Sequence, residues 1–262
     1  MNDSLFDVSG KKVLVTGGSR GIGYMIAEGF LKAGVEEVVI SSRKADACAA
    51  AEASLKEFGQ VSSIPADLSR VDECKRLVSE LGERFDKLDV LVNNAGASWG
   101  APFAEFPESG WDRVMDLNVK GPFFLAQAAL PLLEAASTVD DPARIINIGS
   151  CDGIVTPIFE SYSYSASKAA INHLTRHLAK TLAPTVLVNG IAPGPFATKM
   201  MQHPLESWGD QIRGLTTVGR LGTADDIAGA TIFLASRASN YLVGALLTLD
   251  GGISTAGSAR AH

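Results

Sequence analysis

Tyr164 and Lys168 stand four residues apart in the run Ser163-Tyr164-Ser165-Ala166-Ser167-Lys168. On a helix, positions i and i+4 share one face. A phenol has an ordinary pKa of about 10, and a nearby ammonium favours its anion. Such a pair suits proton transfer at an oxygen while hydride moves at the adjacent carbon. Tyr162 is close by, but four residues on from it stands Ala166, so only Tyr164 is in register with the lysine. Tyr162 is expected to border the substrate instead. Because Tyr-x-x-x-Lys is common by chance, the pair gains meaning only if the chain also holds a hydride carrier.

Thr16-Gly17-Gly18-Ser19-Arg20-Gly21-Ile22-Gly23 meets that need. Glycines at 17, 21 and 23 permit a tight turn and close approach of a ligand backbone, and the helix that follows offers unpaired N–H groups to a diphosphate. The spacing is T-G-x-x-x-G-x-G rather than G-x-G-x-x-G, and its strand-turn-helix setting supports the assignment. Gly17, Ser19, Arg20, Gly21, Ile22 and Gly23 are therefore expected at the cofactor. At the end of the second strand an acidic residue would accept hydrogen bonds from a ribose 2′-hydroxyl. This chain has Ser41-Ser42-Arg43-Lys44 there. Arg43, with Arg20 opposite, suits a 2′-phosphate, which favours NADP(H) over NAD(H). Asp46 keeps NAD(H) open. Asp67 either bonds the adenine amino group or starts the turn before Ser69. Asn94, Ala95 and Gly96 in Asn93-Asn94-Ala95-Gly96 are small enough for a backbone to pass close to the cofactor.

These groups must be carried by regular elements. Short β-branched runs at Lys12–Thr16, Glu37–Ser41, 61–66, 88–92, 144–149, 186–191 and 246–249 alternate with helical stretches at 21–33, 45–58, 69–85, 110–136, 162–182 and 223–235. Ser69 and Thr223 are expected N-caps, and Gly121-Pro122 a break in the long helix. The alternation predicts an α/β chain: a single-domain, Rossmann-type three-layer fold with a parallel sheet covered on both faces. Residues 193–222 show no clear periodicity and are expected to form a flexible substrate loop.

Composition narrows the partners. The 262 residues suffice for one large domain, 46% are apolar and the net charge is −6, with no basic block. Nucleic acid and anionic membrane are disfavoured. Cys48, Cys74 and Cys151 lack C-x-x-C spacing, which favours free thiols in a reducing compartment. No signal-peptide pattern or bilayer-length apolar run occurs, so a cytoplasmic location is expected.

With these pieces the chain resembles the short-chain dehydrogenase/reductase family. The carrying residues are TGGSRGIG (16–23), NNAG (93–96), Asn118 in LNVKGPF, Ser150 in INIGS, YSASK (164–168), and Pro193-Gly194 with Thr198 in PGPFATKM. The likeness runs from about residue 9 to Gly252. It implies a seven-stranded sheet and a homotetramer or homodimer built on the helices holding Asn118 and Tyr164. It further implies that Tyr164 is the acid/base, and that Lys168 lowers its pKa and bonds the nicotinamide ribose. Ser150 would bond the substrate oxygen, and Asn118 would hold a water linking Lys168 to solvent. Pro193, Gly194 and Thr198 would orient the carboxamide. The substrate is a small carbonyl or alcohol. The whole chain is most similar to 3-oxoacyl thioester reductases of the rhamnolipid-synthesis branch. The apolar loop residues Phe196, Met200, Met201, His203 and Trp208 equally suit an acyl chain, a ring ketone or a terpenoid. A small ketone, sugar, polyol or cyclic alcohol is the alternative substrate, and a non-catalytic nucleotide-sensing protein is the alternative class. Lys199, Arg213 and Arg220 are candidates for a basic patch toward an acyl-carrier protein. His173 and His177 lack a third ligand, so no metal is expected; a core or interface role is. Cys151 reads as an inert side chain, and the tail from Ser254 as frayed or interfacial.

Overall fold

The computed structural model describes residues 5–256, apart from the side chains of residues 200, 202–205 and 208. The expectations for Met200, His203 and Trp208, and for residues 257–262 of the tail, lie outside the described residues. Seven strands form one sheet: β1 (Lys12–Thr16), β2 (Glu37–Ser41), β3 (Val61–Ser63), β4 (Val90–Asn93), β5 (Ala143–Ile148), β6 (Val186–Pro193) and β7 (Leu246–Leu249). Their order is β3-β2-β1-β4-β5-β6-β7, every pair parallel. The single-domain Rossmann-type fold is therefore as expected.

Side-chain alternation assigns the layers. Val13 and Val15, Val38 and Ile40, and Val90 and Val92 pack into one core; Leu14, Val39 and Leu91 pack into the other. Successive strand residues point to opposite faces, so a strand buried on both sides is apolar throughout. Helices α1 (Gly21–Lys32) and α2 (Ala45–Leu55) cover the first face. Helix α3 (Val71–Arg84) covers the second. Helices α4 (Glu108–Met115), α5 (Gly121–Ala136) and α6 (Tyr162–Leu182) follow, with α5 and α6 packed on the second face. Helix α7 (Gln202–Leu215) precedes α8 (Ala224–Ala235), which returns to the first face beside α1. Thr223 caps α8 in a full capping box with Asp226.

Two elements depart from expectation, and the expected break in the long helix takes a specific form. Ser69 does not cap α3: its hydroxyl donates to Asp67 Oδ1 (2.8 Å), and the helix starts two residues later. The long helix is interrupted by one π-helical turn, Asp116–Lys120, directly before Gly121-Pro122. Residues 193–222 are not one loop. They hold a 3-10 turn at Lys199–Met201 and then α7. Pro204 stands in the first turn of α7, where a missing N–H costs little. Gly209 and Gly214 weaken the apolar spacing, which is why the helix did not register in the sequence.

The strand order reverses direction of winding at β1, which has β2 on one side and β4 on the other. In open parallel sheets the crevice beyond the strand carboxyl ends at such a point is where ligands bind. The glycine turn after β1 and the Asn93–Gly96 segment after β4 both border it.

Candidate active site

The glycine turn is built for close approach. Gly17 and Gly21 have φ of 67° and 58°, a left-handed conformation that glycine adopts without strain. A side chain at Gly23 would run into Asn94 Nδ2 and the Gly17 carbonyl. Gly17 N–H donates to the Ser41 carbonyl (2.7 Å), which joins the turn to the end of β2. Thr16 then ties it to β4. Its hydroxyl donates to Val92 O (3.1 Å) and accepts from the N–H groups of Asn94 (2.9 Å) and Ala95 (3.0 Å). Asn94 Nδ2 returns a bond to Thr16 O (2.8 Å). Thr16 was not among the expected site residues. Its sequence signal was a hydroxyl ending a buried strand next to the glycine turn.

The residues fit a dinucleotide phosphate. The N-cap of α1 is Arg20, whose side chain makes no capping bond, so the first-turn N–H groups of a twelve-residue helix face the crevice mouth without a side-chain acceptor. Ile22 and Ser19 sit partly exposed in the same turn. Arg20 and Arg43 are exposed, and neither forms an ion pair among the described residues. Asp46 is an exposed first-turn residue of α2. Asp67 Oδ1 accepts from the N–H (3.2 Å) and hydroxyl of Ser69, which is the turn-starting arrangement. Thr198 reaches the same crevice: a side chain at Gly21 would touch its methyl group at 3.4 Å.

At the end of β5 the chain turns through Ser150 into a 3-10 turn, Cys151–Gly153. Ser150 is buried, and its Oγ accepts from Asp152 N–H (3.1 Å). Tyr164 and Lys168 approach from the first turns of α6. Lys168 is buried, with Nζ 5.6 Å from the centre of the Tyr164 ring and donating to the Ile148 carbonyl (2.8 Å). Burial pushes the Tyr164 phenol above its ordinary range, opposed by a hydrogen bond to Ser150. Burial likewise brings Lys168 down to about 8, opposed by the negative charge of Asp152. The lowering of Tyr164 expected from Lys168 is not found: desolvation of the phenolate dominates, and the group that opposes it is Ser150. Ser150, Tyr164 and Lys168 thus form one cluster, with Gly96 beside it: a side chain there would come within 3.8 Å of Lys168 Nζ.

Asn118 lies in the π-helical turn, buried. Its Oδ1 accepts from Ala97 N–H (2.8 Å), and its Nδ2 donates to Ala97 O and to Ser167 Oγ (both 2.9 Å). The side chain therefore pins the segment after β4 to α6. Pro122, four residues on, cannot supply the N–H that the Asn118 carbonyl would receive in an α-helix. A wide turn at this point is one remedy.

An aromatic cluster lies at the start of α6. Tyr162 packs edge-on against Phe103 and Phe106, both at 5.7 Å, and its hydroxyl donates to Glu160 (3.0 Å). Pro193 ends β6, and Gly194 N–H donates to Leu249 O (3.0 Å). Phe196 is buried against Gly222. A cavity of about 200 Å³ lies behind that segment, lined by Phe196, Thr216, Arg220 and Asp250 among others, but not by Ser150, Tyr164 or Lys168. Two of the three candidate patch cations are paired, Arg213 with Asp210 and Arg220 with Asp226, both at 2.6 Å. His173 and His177 lie on the exposed face of α6, so the core role expected for them does not hold. Cys151 is buried, its thiol pushed up to about 12 by burial, as an inert side chain would be.

Known proteins place this geometry. The short chain dehydrogenase family model matches residues 11–207. The chain belongs to the short-chain dehydrogenase family. It is 44% identical to a rhamnolipids biosynthesis 3-oxoacyl-acyl-carrier-protein reductase of Pseudomonas aeruginosa, over 94% of this chain and 97% of that protein. It is 35% identical to the gluconate 5-dehydrogenase of Gluconobacter oxydans, over 95% and 96% respectively. Among solved structures it is similar to the Pseudomonas aeruginosa RhlG/NADP active-site complex, with a TM-score of 0.91, 44% identity, and coverage of 95% of this chain and 98% of that one. Membership makes this short-chain dehydrogenase an oxidoreductase. Among the described residues, no helix is long and apolar enough to cross a membrane.

Proposed function

We propose that this short-chain dehydrogenase interconverts a carbonyl and a secondary alcohol using NADP(H), with a 3-oxoacyl thioester as the carbonyl substrate. The observation that carries the reading is the convergence of Ser150, Tyr164 and Lys168 beside Gly96, at the crevice bordered by the glycine turn. NADP(H), when bound, supplies or accepts the hydride. Tyr164, held protonated by burial, gives its proton to the carbonyl oxygen in the reducing direction. Ser150 donates a second hydrogen bond to that oxygen and stabilises charge as it develops. Lys168 lies close enough to favour the phenolate once the proton has left. Asn118 keeps α6 in register with the segment after β4, and its carbonyl is the place for a water connecting Lys168 to solvent.

Gly17, Ser19, Arg20, Gly21, Ile22 and Gly23 would hold the diphosphate, and Arg43 with Arg20 the 2′-phosphate. Asp67 would meet the adenine, Asn94, Ala95 and Gly96 the sugar backbone, and Pro193, Gly194 and Thr198 the carboxamide. The NADP complex of the similar Pseudomonas aeruginosa structure supports the cofactor choice, as do exposed Arg20 and Arg43, which form no ion pair among the described residues. The 44% identical reductase supports an acyl substrate, and the aromatic cluster of Phe103, Phe106 and Tyr162 is the apolar surface proposed to border it. The gluconate 5-dehydrogenase relative supports a sugar acid as the second reading. A cytoplasmic location is part of the proposal, supported by three buried free thiols, and a homotetramer or homodimer is carried over from the family resemblance.

Purified protein is assayed with acetoacetyl-CoA and NADPH, with a cyclic ketone and NADPH, and with gluconate and NADP⁺, following the nicotinamide absorbance. The thioester should give the highest kcat/KM. Preference for gluconate would replace the acyl reading, and inactivity with every pair would contradict a carbonyl–alcohol enzyme.

A further inference from the structure

The turn after Ser150 carries a carboxylate that none of these roles uses. Asp152 is fixed at both ends of its turn. Its N–H donates to Ser150 Oγ (3.1 Å). The next residue, Gly153, is pressed on α6 at Lys168: a Cβ on Gly153 would stand 2.5 Å from the Lys168 carbonyl carbon and 2.7 Å from Ala169 N. Asn172 Nδ2 donates to Gly153 O (3.5 Å) and holds the turn down. Asp152 is thus wedged between Ser150 and the lysine-bearing turn of α6, partly buried. Its carboxylate forms no ion pair among the described residues, and its one side-chain partner is the Cys151 thiol (Sγ to Oδ1, 3.6 Å). Its negative charge nevertheless reaches both members of the pair, favouring protonated Tyr164 and protonated Lys168.

We propose that Asp152 is a specificity-determining residue: it offsets the charge of Lys168 at the reaction centre and selects a carbonyl flanked by an uncharged group, such as a thioester or amide, over one flanked by a carboxylate. The proposal rests on the reading that Ser150, Tyr164 and Lys168 surround the reacting carbonyl. With one cation and one anion fixed there, the side chains at the site carry no net charge. An anionic flank is drawn by Lys168 and repelled by Asp152. In a partly desolvated site a unit charge a few ångströms away acts at much more than its strength in water. Removing the Asp152 charge leaves Lys168 uncompensated, and the preference should move toward anions. A neutral 3-oxoacyl thioester fits the wild-type site; a 3-oxo acid does not.

Binding can be read without turnover. Calorimetry at neutral pH gives the dissociation constants of acetoacetamide and of acetoacetate for the enzyme–NADP⁺ complex. Asp152→Asn should move the ratio of the two constants about 10-fold toward acetoacetate relative to wild type; the positive nicotinamide of NADP⁺ is common to both enzymes and cancels from that shift. Asp152→Glu keeps the charge and should keep the wild-type preference, which guards against a merely disrupted turn. A ratio that Asp152→Asn leaves within about twofold of wild type, or no binding of either compound to wild type, overturns the proposal. Acetoacetyl-CoA reduction is followed in parallel. Its absence alongside the expected binding shift would fail the substrate assignment and leave the Asp152 role standing; normal reduction with an unmoved ratio would fail the Asp152 role alone.

Discussion

Around Thr16, Asn94 and Asn118 the chain is held by buried or half-buried hydrogen bonds from side chain to backbone, each crossing at least twenty residues of sequence. Between Pro193 and Gly222 the ties differ. Phe196 and Ile212 are buried, and backbone bonds tie Gly194 N–H to Leu249 O (3.0 Å) and Thr217 N–H to Gly251 O (2.7 Å), but the described side-chain bonds are local, as from Arg213 to Asp210 and from Thr216 to the Arg213 carbonyl. On the proposed function the first region must place a nicotinamide ring and a phenol within a fraction of an ångström, since misplacement by 1 Å can cost about 100-fold in rate. On the same proposal the second needs only to cover the substrate. Under that proposal the contrast separates where the chemistry is fixed from where specificity is free to vary.

That contrast predicts graded losses. Tyr164→Phe removes the proton donor and should lower kcat about 10³-fold, the middle of the range for a positioned acid, while NADPH affinity by fluorescence titration stays near wild type. Loss of NADPH binding instead would mean that the tyrosine is structural. Arg43→Asp exchanges a candidate 2′-phosphate partner for a ribose acceptor. The kcat/KM ratio of NADPH to NADH should fall roughly 10- to 100-fold, in line with a charge-assisted hydrogen bond of about 1.5–3 kcal/mol. An unchanged ratio would remove Arg43 from the cofactor site.

Thr16→Val deletes a hydroxyl that donates once and accepts twice. The Asn94 and Ala95 N–H groups lose their acceptor, and stability should drop by about 1–3 kcal/mol in chemical denaturation, with a weaker NADPH complex. On the substrate side, Ile212→Ala in α7 should change KM for the thioester several-fold yet leave the NADPH dissociation constant alone. If it disturbed both alike, the division between the two regions would fail.

Acidity sharpens the same point with a smaller effect. Lys168 titrates near 8, so kcat/KM for reduction should hold below that pH and decline above it as the ammonium is lost. The sign for stability is the reverse. Folded Lys168 binds its proton less tightly than an unfolded lysine, so its burial penalty is fully present below about 8 and is relieved as pH rises toward the ordinary lysine value. A kcat/KM that rises through this window would contradict a protonated Lys168 as the working form.

Much of this site was legible in the sequence for local reasons. The glycine turn, NNAG, Ser150 and the Tyr164/Lys168 register each sit on one strand end or one helix face, where spacing alone sets position. What escaped depended on packing between distant segments. Thr16 acquires its role only when β1 and β4 pair. The π-helical turn at Asn118 was hinted at by Gly121-Pro122, but its form depends on the approach of α5 to Leu68, whose carbonyl a side chain at Gly121 would strike. Helix α7 was hidden by Pro204, Gly209 and Gly214, and the elevation of the Tyr164 pKa by burial that no single residue type announces.

The central claim is that hydride passes between NADP(H) and a carbonyl carbon held by Ser150 and Tyr164. Reduction of acetoacetyl-CoA with NADPH deuterated at nicotinamide C4, followed by mass spectrometry and NMR of the product, tests it most directly. The account predicts 3-hydroxybutyryl-CoA carrying deuterium at C3 from the wild type, and only a trace from Tyr164→Phe. A C3 without deuterium, or equal product from the variant, would contradict it.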